Sequence, residues 1–224
     1  MPAENYKILK NNINEAALRS GRNPDSITLI AVTKTVTVEE VRRAVNLGIT
    51  DFGENRVQEA KPKLKQMPEL RWHFIGHLQS NKVKDVLPHY ILIHSLDRLS
   101  LAKELQRCAE KFERSAEVLV QVNTSGEASK FGLEPEKLPG FLEQVSGYNR
   151  IRIKGLMTMA PFVDDPEETR PCFSMLRRLR EENIRAGFAL PELSMGMTND
   201  YQVAIEEGAT MVRIGSAIFG QIKQ

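Results

Sequence analysis

Ile27-Thr28-Leu29-Ile30-Ala31-Val32-Thr33-Lys34-Thr35 is the stretch on which the fold turns. It is rich in β-branched and aliphatic residues, has no charge before Lys34, and reads as a buried strand. An open doubly wound sheet that binds a dinucleotide would follow its first strand with a Gly-x-Gly-x-x-Gly turn. Val32-Thr33-Lys34-Thr35 stands there instead. Outward from this strand the pattern alternates. Strands are predicted at residues 27–33, 50–53, 72–75, 90–94, 117–122, 151–157, 192–195 and 210–214, and helices at 38–47, 56–66, 80–87, 98–112, 134–145, 167–186, 201–206 and 216–219. Strict strand-helix alternation argues for a parallel sheet, and eight such units in 224 residues predict a closed (β/α)8 TIM barrel. Ahead of the barrel, Tyr6, Leu9, Ile13, Ala16 and Ala17 recur at helical spacing, with Gly21 and Pro24 as stop signals, so an extra amphipathic helix is expected at 3–20. No internal repeat or low-complexity stretch interrupts the chain, and residues 1–224 are expected to form a single domain.

Composition narrows the function classes. The 31 Lys and Arg nearly balance the 29 Asp and Glu, leaving a net charge of +2. No basic run gathers that charge into a nucleic-acid footprint, so nucleic acid is not an expected partner. Cys108 and Cys172 stand far apart, without a Cys or His at metal spacing, and suit a reducing compartment. Glu54, Asp164 and Asp165 form no metal-binding spacing either, and Met157, Met159, Met195 and Met197 read as packing. Residues 1–10 contain no apolar leader, and no run approaches the roughly 20 apolar residues that span a bilayer. A cytoplasmic protein with no membrane partner is the expectation.

In a barrel of this kind active sites form where strands end, and a phosphate often sits between the loops after the seventh and eighth strands. Those ends carry Lys34, Asn55, His77, Thr198, Arg213, Gly215 and Ser216. Lys34 shares a strand face with Ile30 and Val32 by period-two alternation. If apolar walls desolvate its amine, the neutral form becomes available as a nucleophile toward an aldehyde; a lysine that merely snorkels into water satisfies the same position. Lys82 and Lys130 are rival amines in polar segments. Thr198 and Gly215-Ser216 precede two short predicted helices, where backbone amides and hydroxyls can meet an anion. Simple capping of those helices is the competing explanation. Arg213 interrupts Met211-Val212-Arg213-Ile214 and should point into the barrel mouth, with Val212 and Ile214 facing the helices. There it needs a partner: an ion pair with Glu54 or Asp51, or a ring nitrogen of a bound cofactor. His77 could be structural or stack on such a ring, and Asn55 could cap the following helix or touch a ligand.

Several segments together carry a resemblance. They are Ala31-Val32-Thr33-Lys34, Phe52-Gly53-Glu54-Asn55, Trp72 through Lys82, Val122 through Lys130, Gly155-Leu156-Met157-Thr158-Met159-Ala160-Pro161, Leu193-Ser194-Met195-Gly196-Met197, and Met211 through Gly220. In this order they resemble the pyridoxal phosphate homeostasis proteins, relatives of the barrel domain of bacterial alanine racemase. The resemblance implies the alanine racemase N-terminal barrel, with pyridoxal 5′-phosphate bound to Lys34 as a Schiff base. It also places Arg213 at the pyridine nitrogen and the phosphate around Thr198, Gly215 and Ser216. Thr198 stands where the family more often has Ser, which keeps the hydroxyl, and Asp200 fits the usual Ser-x-Asp pattern.

Racemases of the related type need a second base, a tyrosine from a further β domain of a partner subunit. The sequence ends four residues after Gly220, so that domain is expected to be missing, and of Tyr6, Tyr90, Tyr148 and Tyr201 only Tyr201 falls near the predicted rim. Arginine at the ring nitrogen would also weaken the electron sink on which most catalysis with this cofactor depends. The expectation is a monomeric, non-enzymatic protein that stores the cofactor reversibly and delivers it, with apo forms of pyridoxal phosphate enzymes as recipients. A weak amino-acid racemase is the alternative. From the barrel and phosphate site alone, a phospho-sugar aldolase or isomerase using Lys34 also stands.

Overall fold

Alternation along the opening strand builds the barrel. In Thr28–Val32 (β1), Ile30 turns into the barrel interior and Ala31 into the layer beneath the helices. The structure is a computed structural model and describes residues 2–127 and 130–220. The Ala128-Ser129 pair of the 122–130 motif, and the ends of the expected 1–224 domain, lie outside the described residues. After β1 the strands are Asp51–Glu54 (β2), Arg71–Phe74 (β3), Leu92–Leu96 (β4), Ala116–Gln121 (β5), Ile151–Met157 (β6), Glu192–Ser194 (β7) and Met211–Ile214 (β8). All neighbours pair in parallel in chain order, and β8 returns to β1 through Thr28–Met211 to Ala31–Ile214, which closes the barrel. No sheet edge is left open in such a barrel.

The helices are Pro2–Arg19 (α1), Val38–Asn46 (α2), Val57–Gln66 (α3), Val83–Val86 (α4), Leu99–Lys111 (α5), Leu138–Ser146 (α6), Arg170–Arg185 (α7), Tyr201–Glu206 (α8) and Ser216–Phe219 (α9). α1 is the extra helix. It packs against α8 and α9, burying Ile13, Ala16 and Ala17, and ties its end to α8 through an ion pair from Arg19 to Glu206 at 3.0 Å. Three predicted helices begin differently. Residues 80–87, 134–145 and 167–186 open as 3-10 turns at Ser80–Lys82, Pro135–Lys137 and Pro166–Thr169 before the α-helix starts. Pro135 and Pro166 lead two of these turns, fixing φ where no helical N–H is needed. The fourth strand lies two residues later than the expected 90–94, because Tyr90 packs outside the sheet against Phe74.

Two apolar layers result. Phe52, Trp72, Ile93, Val118, Leu156 and Val212 face outward and join helix residues such as Leu64, Leu105 and Leu176 in the larger cluster. Ile30, Leu92, Leu119, Met157 and Met211 face inward and form a smaller one. Fully burying each large side chain contributes roughly 1.5–3 kcal/mol, so the outer layer carries most of the stability. β6 meets β7 at a glycine: a Cβ on Gly155 would collide with the carbonyl oxygen of Glu192. Among the described residues, no helix is long and apolar enough to cross a membrane.

Candidate functional site

Lys34 lies two residues beyond the end of β1, and its neighbours are firmly held. The Thr33 hydroxyl donates to Glu54 Oε1 at 2.6 Å, and Lys63 of α3 donates both to the Thr33 carbonyl at 2.5 Å and to Glu54 Oε1 at 2.7 Å. Glu54 and Lys63 are buried, so this is an internal ion pair, with both hydrogen bonds to Glu54 falling on Oε1 while Oε2 has no partner among the described residues. On the other side Thr35 takes φ 63°, a left-handed conformation rare for a β-branched residue. Thr37 and Glu40 then close a reciprocal capping box at the start of α2. The loop is pinned at both ends and presents Lys34 outward. Lys34 itself is exposed, so the apolar walls anticipated from its strand position do not enclose the amine.

Two adjoining clefts meet at this lysine. One, of about 530 Å³, is lined by Lys34, Asn55, Gly215 and Ser216 among others. The second, of about 290 Å³, is lined by Lys34, Phe162, Met197, Thr198, Asn199 and Ser216 among others. Lys34 and Ser216 belong to both. The Ser216 hydroxyl donates to Thr198 Oγ1 at 3.2 Å, so the hydroxyls after β7 and β8 face one another. Capping does not account for them. The N-caps of α8 and α9 are Asp200 and Gly215, neither with a side-chain cap bond to its helix. Gly215 sits close to β1: a Cβ there would lie 3.3 Å from the Val32 carbonyl oxygen, a tight contact. The Asp200 carboxylate accepts from the Met197 backbone N–H at 2.6 Å; burial raises its carboxyl above the usual range. Asn55 is not a cap either, because α3 starts from Arg56. Its Oδ1 is buried without a hydrogen-bond partner among the described residues. Such an acceptor is costly to bury unless a donor reaches it.

Arg213 points into the barrel, as the alternation requires, and is buried. Its partners are neither Glu54 nor Asp51. Nη1 donates to Ser194 Oγ at 2.5 Å and Nη2 to the Thr158 carbonyl at 2.8 Å, at the ends of β7 and β6. Glu54 points outward to Lys63, and Asp51 sits lower in the barrel, so neither expected ion pair forms. Burial lowers the guanidinium to about 10, with Asp200 working in the opposite direction. Two of its N–H groups are used and others remain, but Arg213 lines neither cleft.

His77 is placed apart from these residues. Its ring stacks on Phe131 with centroids 3.9 Å apart at 18°, its Nδ1 lies 3.5 Å from Asp97 Oδ2, and it lines neither cleft. None of the four tyrosines lines them. Tyr201 is buried and its hydroxyl accepts from Asn12 of α1 at 3.3 Å, on the outside of the barrel.

Sequence reasoning missed the interior. Asp51, His73, His94 and Ser194 form a hydrogen-bonded line across the barrel that ends on Arg213. A signal was available in the strands, where His73 stands between the outward Trp72 and Phe74. Lys63, too, went unread: it stands between Lys61 and Lys65 with no local mark of burial.

The barrel and this lysine-bearing rim define a class. A family profile described as alanine racemase, N-terminal domain, matches residues 5–223. The pyridoxal phosphate homeostasis protein of Aquifex aeolicus is 46% identical over 214 residues, covering 94% of each chain, and that of Pseudomonas aeruginosa is 42% identical over 97% of this chain and 94% of the relative. The chain belongs to the alanine racemase N-terminal domain family and, within it, to the pyridoxal phosphate homeostasis proteins. Among solved structures, PipY of Synechococcus elongatus with PLP bound superposes with a TM-score of 0.83 at 37% identity, covering 98% of this chain and all of PipY. An alanine racemase of Clostridium difficile superposes at 0.77 with 17% identity over 99% of this chain and 58% of its own, a likeness of fold.

Proposed function

We propose that this chain binds pyridoxal 5′-phosphate at the two clefts around Lys34 and manages the supply of that cofactor, storing it reversibly and passing it to apo-enzymes. The observation that carries the reading is the convergence of one exposed lysine, two facing hydroxyls and an unpaired buried amide oxygen at one rim. These residues fit the group. Bound pyridoxal phosphate supplies an aldehyde that condenses reversibly with an amine. Lys34 offers that amine, Thr198, Gly215 and Ser216 offer donors and space for a phosphate, and Asn55 an acceptor; Arg213 lines neither cleft, and its spare N–H groups would serve a ring nitrogen that reached it. His77 lines neither cleft, and its contact with the cofactor would run through the Phe131 loop that it stacks on.

The relatives named as homeostasis proteins, and PipY with PLP bound, support this reading. A role without catalysis follows from the same site. An arginine, which stays protonated, would meet a ring nitrogen as a donor and leave it without its own proton, and no tyrosine of this chain lines the clefts beside Lys34. The free buried thiols, Cys108 and Cys172, fit a reducing cytoplasm, and a single monomeric barrel over residues 1–224 suffices for the site. Titration of apo-protein with pyridoxal phosphate should give the absorption band of a lysine-linked cofactor. Lys34→Ala should abolish it, whereas Lys82→Ala and Lys130→Ala keep it; a band that survives Lys34→Ala contradicts the assignment. Exchange of amino-acid α-deuterium at enzymatic rates would contradict the carrier role.

A further inference from the structure

The barrel interior holds a polar line that the cofactor reading does not use. Asp51 Oδ1 lies 2.9 Å from His73 Nε2, His73 Nδ1 lies 3.0 Å from His94 Nε2, and His94 Nδ1 lies 2.9 Å from Ser194 Oγ. Ser194 Oγ in turn accepts from Arg213 Nη1 at 2.5 Å. His73 and His94 come from adjacent strands, whereas His94 and Ser194 come from β4 and β7, so the line crosses the barrel. All five side chains are buried.

Chemistry orders the protons along it. An ionised carboxylate only accepts, so His73 Nε2 must donate to Asp51. A neutral His73 then has an accepting Nδ1, which requires His94 Nε2 to donate. His94 Nδ1 becomes the acceptor for the Ser194 hydroxyl, and the remaining lone pairs of Ser194 face Arg213, which can only donate. One tautomer at each ring satisfies every contact.

Neutral rings also suit the surrounding charges. At the floor, Asp51 is already answered by Arg71 at 2.9 Å and by the Thr50 hydroxyl at 2.6 Å. Burial works to raise its carboxyl, and the hydrogen bonds from His73, Thr50 and Arg71 outweigh it, holding it at about 2. At the mouth, Arg213 feels Asp200. A third cation on either imidazole would be buried without an anion of its own. For His94 in particular, burial first, then His73 and Arg213, holds the ring well below the usual histidine range.

We propose that Asp51, at the barrel floor, anchors a one-directional hydrogen-bonded chain through His73, His94 and Ser194 that fixes the orientation of Arg213. Ser194 and His94 are positioning residues: they fix the guanidinium in its buried place between β6 and β7. Because each link polarises the next, a change at Arg213 is registered at His73. This inference rests on the reading that Arg213 faces the ring of pyridoxal phosphate.

Its test begins with wild-type apo-protein labelled with 15N at its four histidines. Both His73 and His94 should carry a proton at Nε2, and His94 should stay neutral between about pH 5 and 8. An imidazolium at His94, or a neutral ring protonated at Nδ1 at either residue, overturns the chain, and this arm needs neither a variant nor a cofactor. Pyridoxal phosphate is then added. The accepting Nδ1 signals of His94 and His73 should both shift in wild type and in Ser194→Thr, which keeps the hydroxyl, and stay still in Ser194→Ala, whose loading is followed by absorbance. Asp51→Asn should weaken pyridoxal phosphate binding roughly tenfold, in the range of couplings between distant sites. Unchanged affinity in Asp51→Asn, or loaded wild-type protein whose histidine signals do not move, contradicts the proposal. A wild-type protein that takes up no pyridoxal phosphate contradicts the functional reading instead, and leaves the tautomer arm standing.

Discussion

The residues flanking Lys34 are held more firmly than Lys34 itself. Thr33 is clamped by the buried Glu54–Lys63 pair, and removing one partner of such a pair leaves the other charged and unanswered. Lys63→Met should therefore destabilise the protein by about 3–5 kcal/mol in urea unfolding, although the residue lies on α3 and lines neither cleft. A loss under 1 kcal/mol would show that the pair does not hold the loop. Asp51 sets a pH dependence. Its folded-state carboxyl titrates at about 2, below the ordinary aspartate value, so the stability it adds is complete above that ordinary value and fades as pH falls toward 2. Wild type should exceed Asp51→Asn by roughly 2 kcal/mol at neutral pH, and urea midpoints measured down the acid limb should converge. Of these residues, Lys34, Asn55, Arg213, Thr198 and Ser216 were legible, because a polar residue at a strand's end stands out against an apolar strand. Lys63 was not, since nothing local separates a buried lysine from an exposed one on a helix. The exposure of Lys34 was one of the two readings its strand-end position allowed, a lysine snorkelling into water, and position alone did not choose between them.

Between elements, the loops after β2 and β3 come into direct contact. A Cβ on Gly76 would collide with the carbonyl oxygen of Asn55, so the glycine lets the third loop pass under the residue that offers its amide oxygen to the cleft. Gly76→Ala should push Asn55 aside, destabilise the protein by about 1–3 kcal/mol and weaken pyridoxal phosphate binding. Binding equal to wild type, measured by fluorescence quenching, would mean that Asn55 does not need its present place. Alternation in the strands was readable at this scale, and it put Arg213 inside with Val212 and Ile214 outside. Helix starts were less so. The 3-10 turns at Ser80–Lys82 and Pro166–Thr169 carry residues that a helix also accepts, and only packing separates the two geometries.

Across the whole molecule, eight strand-helix units and the missing glycine-rich turn were enough to read a closed barrel, because chain order alone dictates the neighbours in this fold. What runs across the barrel was hidden. His94 and Ser194 are separated by 100 positions, and no pattern along either strand marks them as partners. The same arrangement explains how the molecule divides its work: an outer apolar layer holds the barrel together, and a polar line inside it supports the rim where Lys34 stands. The central claim is that Lys34 carries the cofactor. Its most direct test is a mass spectrum of peptides from protein loaded with pyridoxal phosphate and reduced with borohydride. The reduced pyridoxyl phosphate adduct should fall on Lys34 alone; an adduct on Lys82 or Lys130 with Lys34 unmodified would contradict the account.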